Sequence, residues 1–358
     1  MQAADQQRDI YMLCHRLRNC METPTRPPIL RAMPSADSPR RSHFAPLRLG
    51  ARIPLLLALA TTCAADTAAA QTPWPVEAVA KNVTVQATAE RFTWESAHFA
   101  LSAEAALPLG VVRDLAAVFE ATREVLLAVP LGLHPGGESA RYRVRLFSTT
   151  VGYKAAGGAT ATGGYFDGRE MLILLPNLGI KPGANGLTAE HPRQLFILKH
   201  EVTHQLLSPW GGALPVWLDE GFAECVASWP YTQGRYTLRN LDTALHDYLL
   251  KWRRASDRRA LTLIAPPTLM ALSRDAWREQ VVAQAAYDHY NSAALLAHYF
   301  LRHDGRGDGA GLAAYFDAVR RGTAPSEAEA QHLPRGRTRE QLTAEVQKLA
   351  RRMAIEVK

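Results

Sequence analysis

Cysteine is scarce in this 358-residue chain: Cys14, Cys20 and Cys63 lie within the first 70 residues, and only Cys225 follows them. A body with one cysteine forms no internal disulfide and depends on a packed core. Cys225 sits beside Glu224 in an apolar stretch and reads as a small buried hydrophobe. The other reading, a reactive thiol, requires an exposed electropositive setting. Long apolar runs are missing too. Ile53-Pro-Leu-Leu-Leu-Ala-Leu-Ala60 falls well short of the about 20 residues that a membrane span needs, so no stable span is expected. A strong excess of one charge is also lacking. The formal charge is +7, but residues 1–70 hold nine arginines and five acidic residues, which leaves +3 for the rest. That is too mild to argue for a nucleic-acid partner. Arg253-Arg254 and Arg258-Arg259 read as solvated charges. No phosphate-loop lysine follows the glycine-rich segment 157–164, which is therefore expected to be a surface loop. No internal repeat is present, and an apolar fraction of 47% with 21% charged residues suits an ordinary globular protein.

The N-terminal 70 residues have the pattern of an extension followed by an export signal. Met33 opens a stretch with Arg40, Arg41, Arg48 and Arg52 and the single acidic residue Asp37; the short apolar run and Ala68-Ala-Ala70 follow. The expected organisation is an extension and signal over 1–70, with the start at Met33 and cleavage near Ala70. A short linker follows at 71–84, and one catalytic unit at 85–358. This predicts a periplasmic or secreted protein.

Beyond residue 83 the pattern is α+β, with a mixed strand and helix N-terminal half and a helical C-terminal half. Phe92–Leu101 and Arg141–Phe147 read as strands, and Met171–Leu175 as a short apolar strand stopped by Pro176. Val112, Leu115, Val118 and Leu126 have helical spacing within Leu109–Val129, which ends at Pro130. Helices are expected over 192–207, 215–229, 239–254, 275–303, 311–320 and 338–356. The last opens with Thr338 and Gln341 at capping-box spacing.

The chemistry concentrates in Leu198-Lys-His200-Glu201-Val-Thr-His204-Gln-Leu-Leu207. Two histidines four apart lie one turn apart on the same helix face, so both imidazoles can reach one ion. Neutral ring nitrogens are good zinc ligands, and Glu201, next to the first, can take a proton from an attacking water. This spacing also arises by chance in a buried helix, so the second half of the pattern matters. Glu220 comes sixteen positions after His204, within Pro215-Val-Trp-Leu-Asp-Glu220-Gly-Phe-Ala-Glu224. A catalytic Zn2+ takes three protein ligands and keeps one open position, and a carboxylate from the next helix completes the set. Glu224 shares a face with Glu220 and can fix the tautomer of His200 from behind.

On these residues the chain resembles the gluzincin metallopeptidases, the zinc peptidases that include thermolysin-like enzymes and zinc aminopeptidases. Trp217-Leu-Asp-Glu-Gly-Phe-Ala223 is similar to the aminopeptidase-type Trp-Leu-Asn-Glu-Gly motif, with Asp219 in place of Asn. A closer overall likeness is to bacterial peptidase MA-like domains, in the order Gly164-Tyr165-Phe166, short strand, zinc helix, Glu-Gly helix and a late tyrosine-bearing helix at 286–293. The likeness runs over roughly 85–350, but only 198–224 is specific. The resemblance implies a zincin-like fold and hydrolysis of a peptide or protein substrate. Zinc would polarise the scissile carbonyl, and Glu201 would be the general base. It also implies a late tyrosine that steadies the oxyanion, for which Tyr287 and Tyr290 are the candidates, each of them equally readable as core. The strand at 171–175 would receive substrate backbone if its edge faces the cleft. His191, His289 and His298 show no ligand spacing and read as ordinary surface or core histidines. The alternative function is an inactive zinc-containing module that binds a peptide or partner without cleaving it; retention of Glu201 argues against that. Oligomeric state and side-chain preference have no signature in the sequence.

Overall fold

The strand-like segments between residues 86 and 174 pair into one six-stranded mixed sheet. They are β2 (Gln86–Ala87), β3 (Thr93–Glu95), β4 (Phe99–Ala103), β5 (Tyr142–Phe147), β6 (Gly164–Phe166) and β7 (Glu170–Leu174), preceded by β1 (Glu77–Val79). Helix α1 (Leu109–Ala128) connects β4 to β5, and α2 (Thr150–Ala155) follows β5. The computed structural model describes residues 73–80, 83–134, 140–158, 164–178, 180–183, 186–189, 195–210, 214–250, 260–281 and 286–357. All of these fall in one compact unit that takes in Thr72–Lys358. Residues 1–70, where an extension and export signal are expected, His191, both arginine pairs and residues 159–163 of the glycine loop lie outside the described residues.

The sheet order is β2-β3-β4-β5-β7-β6. Strands β4, β5 and β7 are parallel, whereas β3 and β6 run antiparallel to their neighbours. Parallel strands need a crossover, and α1 supplies it between β4 and β5 by burying Val112, Leu115, Phe119 and Leu126. Met171–Leu174 are all buried, which is why β7 reads as a continuous apolar run rather than an alternating one. The strand pairing answers the expectation that 171–175 receives substrate backbone if its edge faces the cleft. Paired with β5 on one side and β6 on the other, it has no open edge; the outer strand is β6.

After a hairpin of β8 (Ile180–Gly183) and β9 (Gly186–Ala189), the chain becomes mainly helical. Helix α3 (Leu195–Leu206) is buried from Phe196 to its end. Helix α4 (Val216–Ser228) starts after Pro215 and stops before Trp229-Pro230, since proline suits a helix start but cannot continue one. The hairpin β10 (Tyr231–Thr232) and β11 (Arg235–Thr237) takes β1 as a third strand. Next come α5 (Leu241–Leu250), β12 (Ala260–Leu261), α6 (Pro266–Met270), α7 (Arg274–Gln280) and α8 (Ala286–Arg302). The chain closes with α9 (Ala310–Arg320), α10 (Pro325–His332), α11 (Arg339–Arg352) and β13 (Glu356–Val357). Thr338 and Gln341 form the expected capping box at the start of α11.

Two expected helices are revised. The single helix over 275–303 is α7 and α8. His289 Nε2 lies 2.7 Å from Gln280 Oε1, whereas residues nine apart in one straight helix are separated by about 13.5 Å along its axis. The last helix ends at Arg352 rather than 356, because Glu356 and Val357 pair in parallel with Ala260 and Leu261. Helix α10 has no counterpart in the expectation; it buries only Ala328 and so shows no apolar stripe.

Helices α4 and α8 pack closely at one point. A Cβ on Gly221 would lie 2.3 Å from the Ala293 carbonyl oxygen. Mid-helix glycine costs about 1 kcal/mol relative to alanine, and here it allows two helix backbones to touch. Gly221→Ala is expected to force α4 and α8 apart and lower the unfolding free energy by about 1–3 kcal/mol. Urea denaturation measures it, and an unchanged midpoint contradicts the close-packing account.

Candidate metal centre

His200, Glu201 and His204 come from α3, and Glu220 and Glu224 come from α4, the next helix in the chain. All five are buried, none more than 6% exposed. Helical spacing puts the two imidazoles on one face of α3 and the two carboxylates on one face of α4. The packing of α3 against α4 then brings three donor atoms together. His200 Nε2 and His204 Nε2 are 3.0 Å apart. Glu220 Oε2 lies 3.4 Å from the first and 3.5 Å from the second. Ligands at 2.0–2.1 Å around a tetrahedral zinc ion are separated by about 3.3–3.4 Å. The three atoms therefore fit a metal ion of that size with only side-chain adjustment.

The outer ring nitrogens explain how the inner ones are directed. His204 Nδ1 is 2.9 Å from Asp219 Oδ1, and His200 Nδ1 is 3.3 Å from Glu224 Oε1. A carboxylate facing Nδ1 favours a proton there and leaves the Nε2 lone pair for an ion. Both partners are themselves held. Tyr248 on α5 donates its phenol proton to Glu224 Oε2. Arg274 Nη2 at the start of α7 is 3.2 Å from Asp219 Oδ2. Burial by itself would raise the Asp219 carboxyl, but His204 and Arg274 outweigh it and hold it at about 2. Asp219 therefore stays charged and takes its counter-ion from a third helix.

Converging lone pairs and a carboxylate call for positive charge. Burial disfavours a protonated His200, yet Glu220, Glu224 and Glu201 outweigh that penalty and raise its pKa to about 10. The surrounding carboxylates thus favour positive charge at this point. Lys199, adjacent to His200, is also buried. Its Nζ donates to the Trp229 carbonyl at 2.6 Å, fastening α3 to the C-terminal end of α4. That bond satisfies a carbonyl left over at the helix end.

The expected residues are thus partly assembled. His200, His204 and Glu220 form one cluster capable of holding a metal, and Glu224 stands behind His200. Glu201 lies against β6: a Cβ on Gly164 would meet its Cγ at 2.8 Å, so only glycine allows the strand so near. Tyr287 and Tyr290 occupy the first turns of α8. Tyr290 is 2% exposed and packs edge-on against Trp277, with ring centroids 5.4 Å apart; Tyr287 is half-buried beside the core. The triad is built without them. His289 is a core residue between Trp277 and Gln280, as expected. Tyr248 and Arg274 join the site without having been expected from the sequence. The motif carries no signal for either, because each reaches the site from a helix that follows it in the chain. The role of Asp219 was readable only as a departure from a known motif.

Tyr248→Phe removes a hydroxyl that holds Glu224 and leaves the ligands intact. It is expected to weaken metal binding at the His200 site by about tenfold, within the range for groups that orient ligands. Competition with a chromophoric chelator measures this, and an unchanged affinity excludes Tyr248 as a positioning residue.

No protein-family model, no curated protein and no solved structure matches this chain.

Proposed function

We propose that this protein is an exported zinc-dependent peptidase of gluzincin type with a zincin-like catalytic fold. The observation that carries this reading is the triangle of His200 Nε2, His204 Nε2 and Glu220 Oε2, with sides of 3.0, 3.4 and 3.5 Å, formed by α3 and α4 inside the core. Two imidazoles and one carboxylate are a donor set for zinc with an open fourth position. Zinc held there would supply Lewis acidity, polarising a carbonyl and lowering the pKa of water. Export rests on the arginine-rich and apolar pattern before Gln71.

The chain's own groups account for the remaining steps. Glu201 is buried, adjacent in sequence to a ligand and pressed against Gly164 of β6. It takes the proton from the attacking water as the oxygen bonds to the peptide carbonyl carbon. It then delivers that proton to the nitrogen as the C–N bond breaks, leaving an amine and a carboxylic acid, whose remaining water-derived proton is then lost to solvent. The outer strand β6 has one side paired with β7, and its other side suits an extended peptide added as a further strand. Tyr287 and Tyr290, at the start of the helix packed on α4, are the candidate donors to the developing oxyanion.

A mixed-peptide library incubated with the purified protein tests this reading. Cleavage is expected, is lost on chelation and returns when Zn2+ is added back. Glu201→Gln is expected to keep its metal while kcat falls by about 10²–10⁴-fold, the usual scale for a lost general base. Peptide binding with no cleavage by wild type would instead establish a non-catalytic zinc module. Cleavage unaffected by Glu201→Gln would remove Glu201 from the mechanism.

A further inference from the structure

A second group of metal-type donors lies in the helical half, away from the His200 triad. Asp242 is in the first turn of α5, His298 in the last turns of α8, and His303 just beyond the end of α8. His298 Nε2 and His303 Nε2 each lie 2.8 Å from Asp242 Oδ1. One donor atom from each of the three residues lies within 4.8 Å of the others. Their sequence spacing does not suggest a site. Residues five apart do not share a face of a regular helix. The end of α8 overcomes this by winding back on itself: the amides of both His303 and Asp304 donate to the Tyr299 carbonyl, at 2.8 and 2.9 Å. That turn brings His303 under His298, with ring centroids 5.2 Å apart.

We propose that Asp242, His298 and His303 form a second binding site for a first-row divalent transition ion such as Zn2+, independent of the first. The donors are two imidazoles and a carboxylate, the same chemistry as the His200 triad, and borderline ions favour that set. The site is anchored and still open to entry. The His298 side chain is 1% exposed and His303 17%, while the Asp242 side chain is 40% exposed and admits an ion and water. The 2.8 Å separations must open by about half an ångström to match tetrahedral zinc, within the range of a side-chain rotation.

The competing account is a bracket in which both imidazoles donate Nε2–H to Asp242 and tie α5 to α8. The two accounts differ at Arg352 of α11. Its guanidinium donates to His303 Nδ1 and lies 3.6 Å from Asp242 Oδ2. While Arg352 donates to Nδ1, that nitrogen carries a lone pair and the proton is on Nε2. A metal at Nε2 reverses this: the imidazole proton moves to Nδ1, and the bond from Arg352 is lost. Ion and guanidinium are therefore mutually exclusive, and Arg352, with 59% of its side chain exposed, can turn away into solvent. A bound ion pins the first turn of α5, the helix that carries Tyr248 to Glu224.

Equilibrium dialysis of the full chain against micromolar Zn2+, with metal and protein both quantified, tests the proposal. Wild type is expected to bind two ions, His303→Gln and Asp242→Asn one each, and a protein carrying both His200→Ala and His303→Gln none. His200→Ala alone should keep one, so the second site stands even if the first reading fails. Arg352→Ala is expected to bind the second ion about tenfold more tightly; a hydrogen-bonded bracket predicts no such gain. Replacing Zn2+ with Co2+ in His200→Ala should produce the visible bands of a tetrahedral nitrogen–oxygen site. The proposal is overturned if neither wild type nor Arg352→Ala takes up an ion that Asp242→Asn or His303→Gln loses.

Discussion

Three electron-rich atoms held 3.0–3.5 Å apart inside an apolar core are the constraint on which the rest of this structure depends. Buried polar groups without compensation are costly, and buried charges more so. The structure meets that cost by surrounding the donors with oriented partners. Glu224 and Tyr248 stand behind His200, and Asp219 and Arg274 behind His204. Each imidazole thus has an outer partner that sets its tautomer. The polar chain on each side continues to a helix outside the motif, either α5 or α7. The carboxylates around His200 call for positive charge at the centre, which a divalent ion on the three donors would supply.

The aromatic and aliphatic residues around the motif hold this geometry. Trp217, Leu218, Phe222 and Val226 on α4 are fully buried, as are Leu198, Val202 and Leu206 on α3. They make both helices parts of the core, so the functional side chains project from elements that cannot shift singly. Gly221, next to Glu220, lets α8 approach α4 to backbone contact. Gly164 lets the outer strand approach Glu201 in the same way. Both glycines are places where the absence of a side chain sets the position of a functional one. The sheet contributes less chemistry and more alignment: β7 is paired on both sides, and α3 reaches the sheet at β5, where Gln205 donates to the Arg143 carbonyl, as well as at β6, where Gly164 meets Glu201.

Local periodicity made much of the fold legible. Helices α1, α3, α4 and α9 lie where apolar spacing and proline put them, and the capping box at Thr338 starts α11 as expected. The failures share one cause. A helix over 275–303 is locally reasonable, but the bond between His289 and Gln280 is incompatible with one straight helix through both residues. The expected helix runs to 356, yet Glu356 and Val357 find strand partners at 260–261. An apolar run at 171–174 indicates burial and cannot indicate which neighbours lie beside it; the order of strands in the sheet does.

The sequence by itself determined the donor triad, because His200 and His204 are one helical turn apart and Glu220 and Glu224 repeat that spacing on the next helix. Residue types and intervals of four survive any arrangement of the rest of the chain. Only the tertiary structure decided what stands behind the triad and which strand lies at the edge of the sheet. It alone assembled Asp242, His298 and His303, which lie 56 and five residues apart along the chain. The physical reason is range. Helical spacing is a property of neighbours along the chain, whereas Tyr248, Arg274 and the Asp242 cluster are positioned by packing between helices far apart in sequence, and no local pattern encodes that.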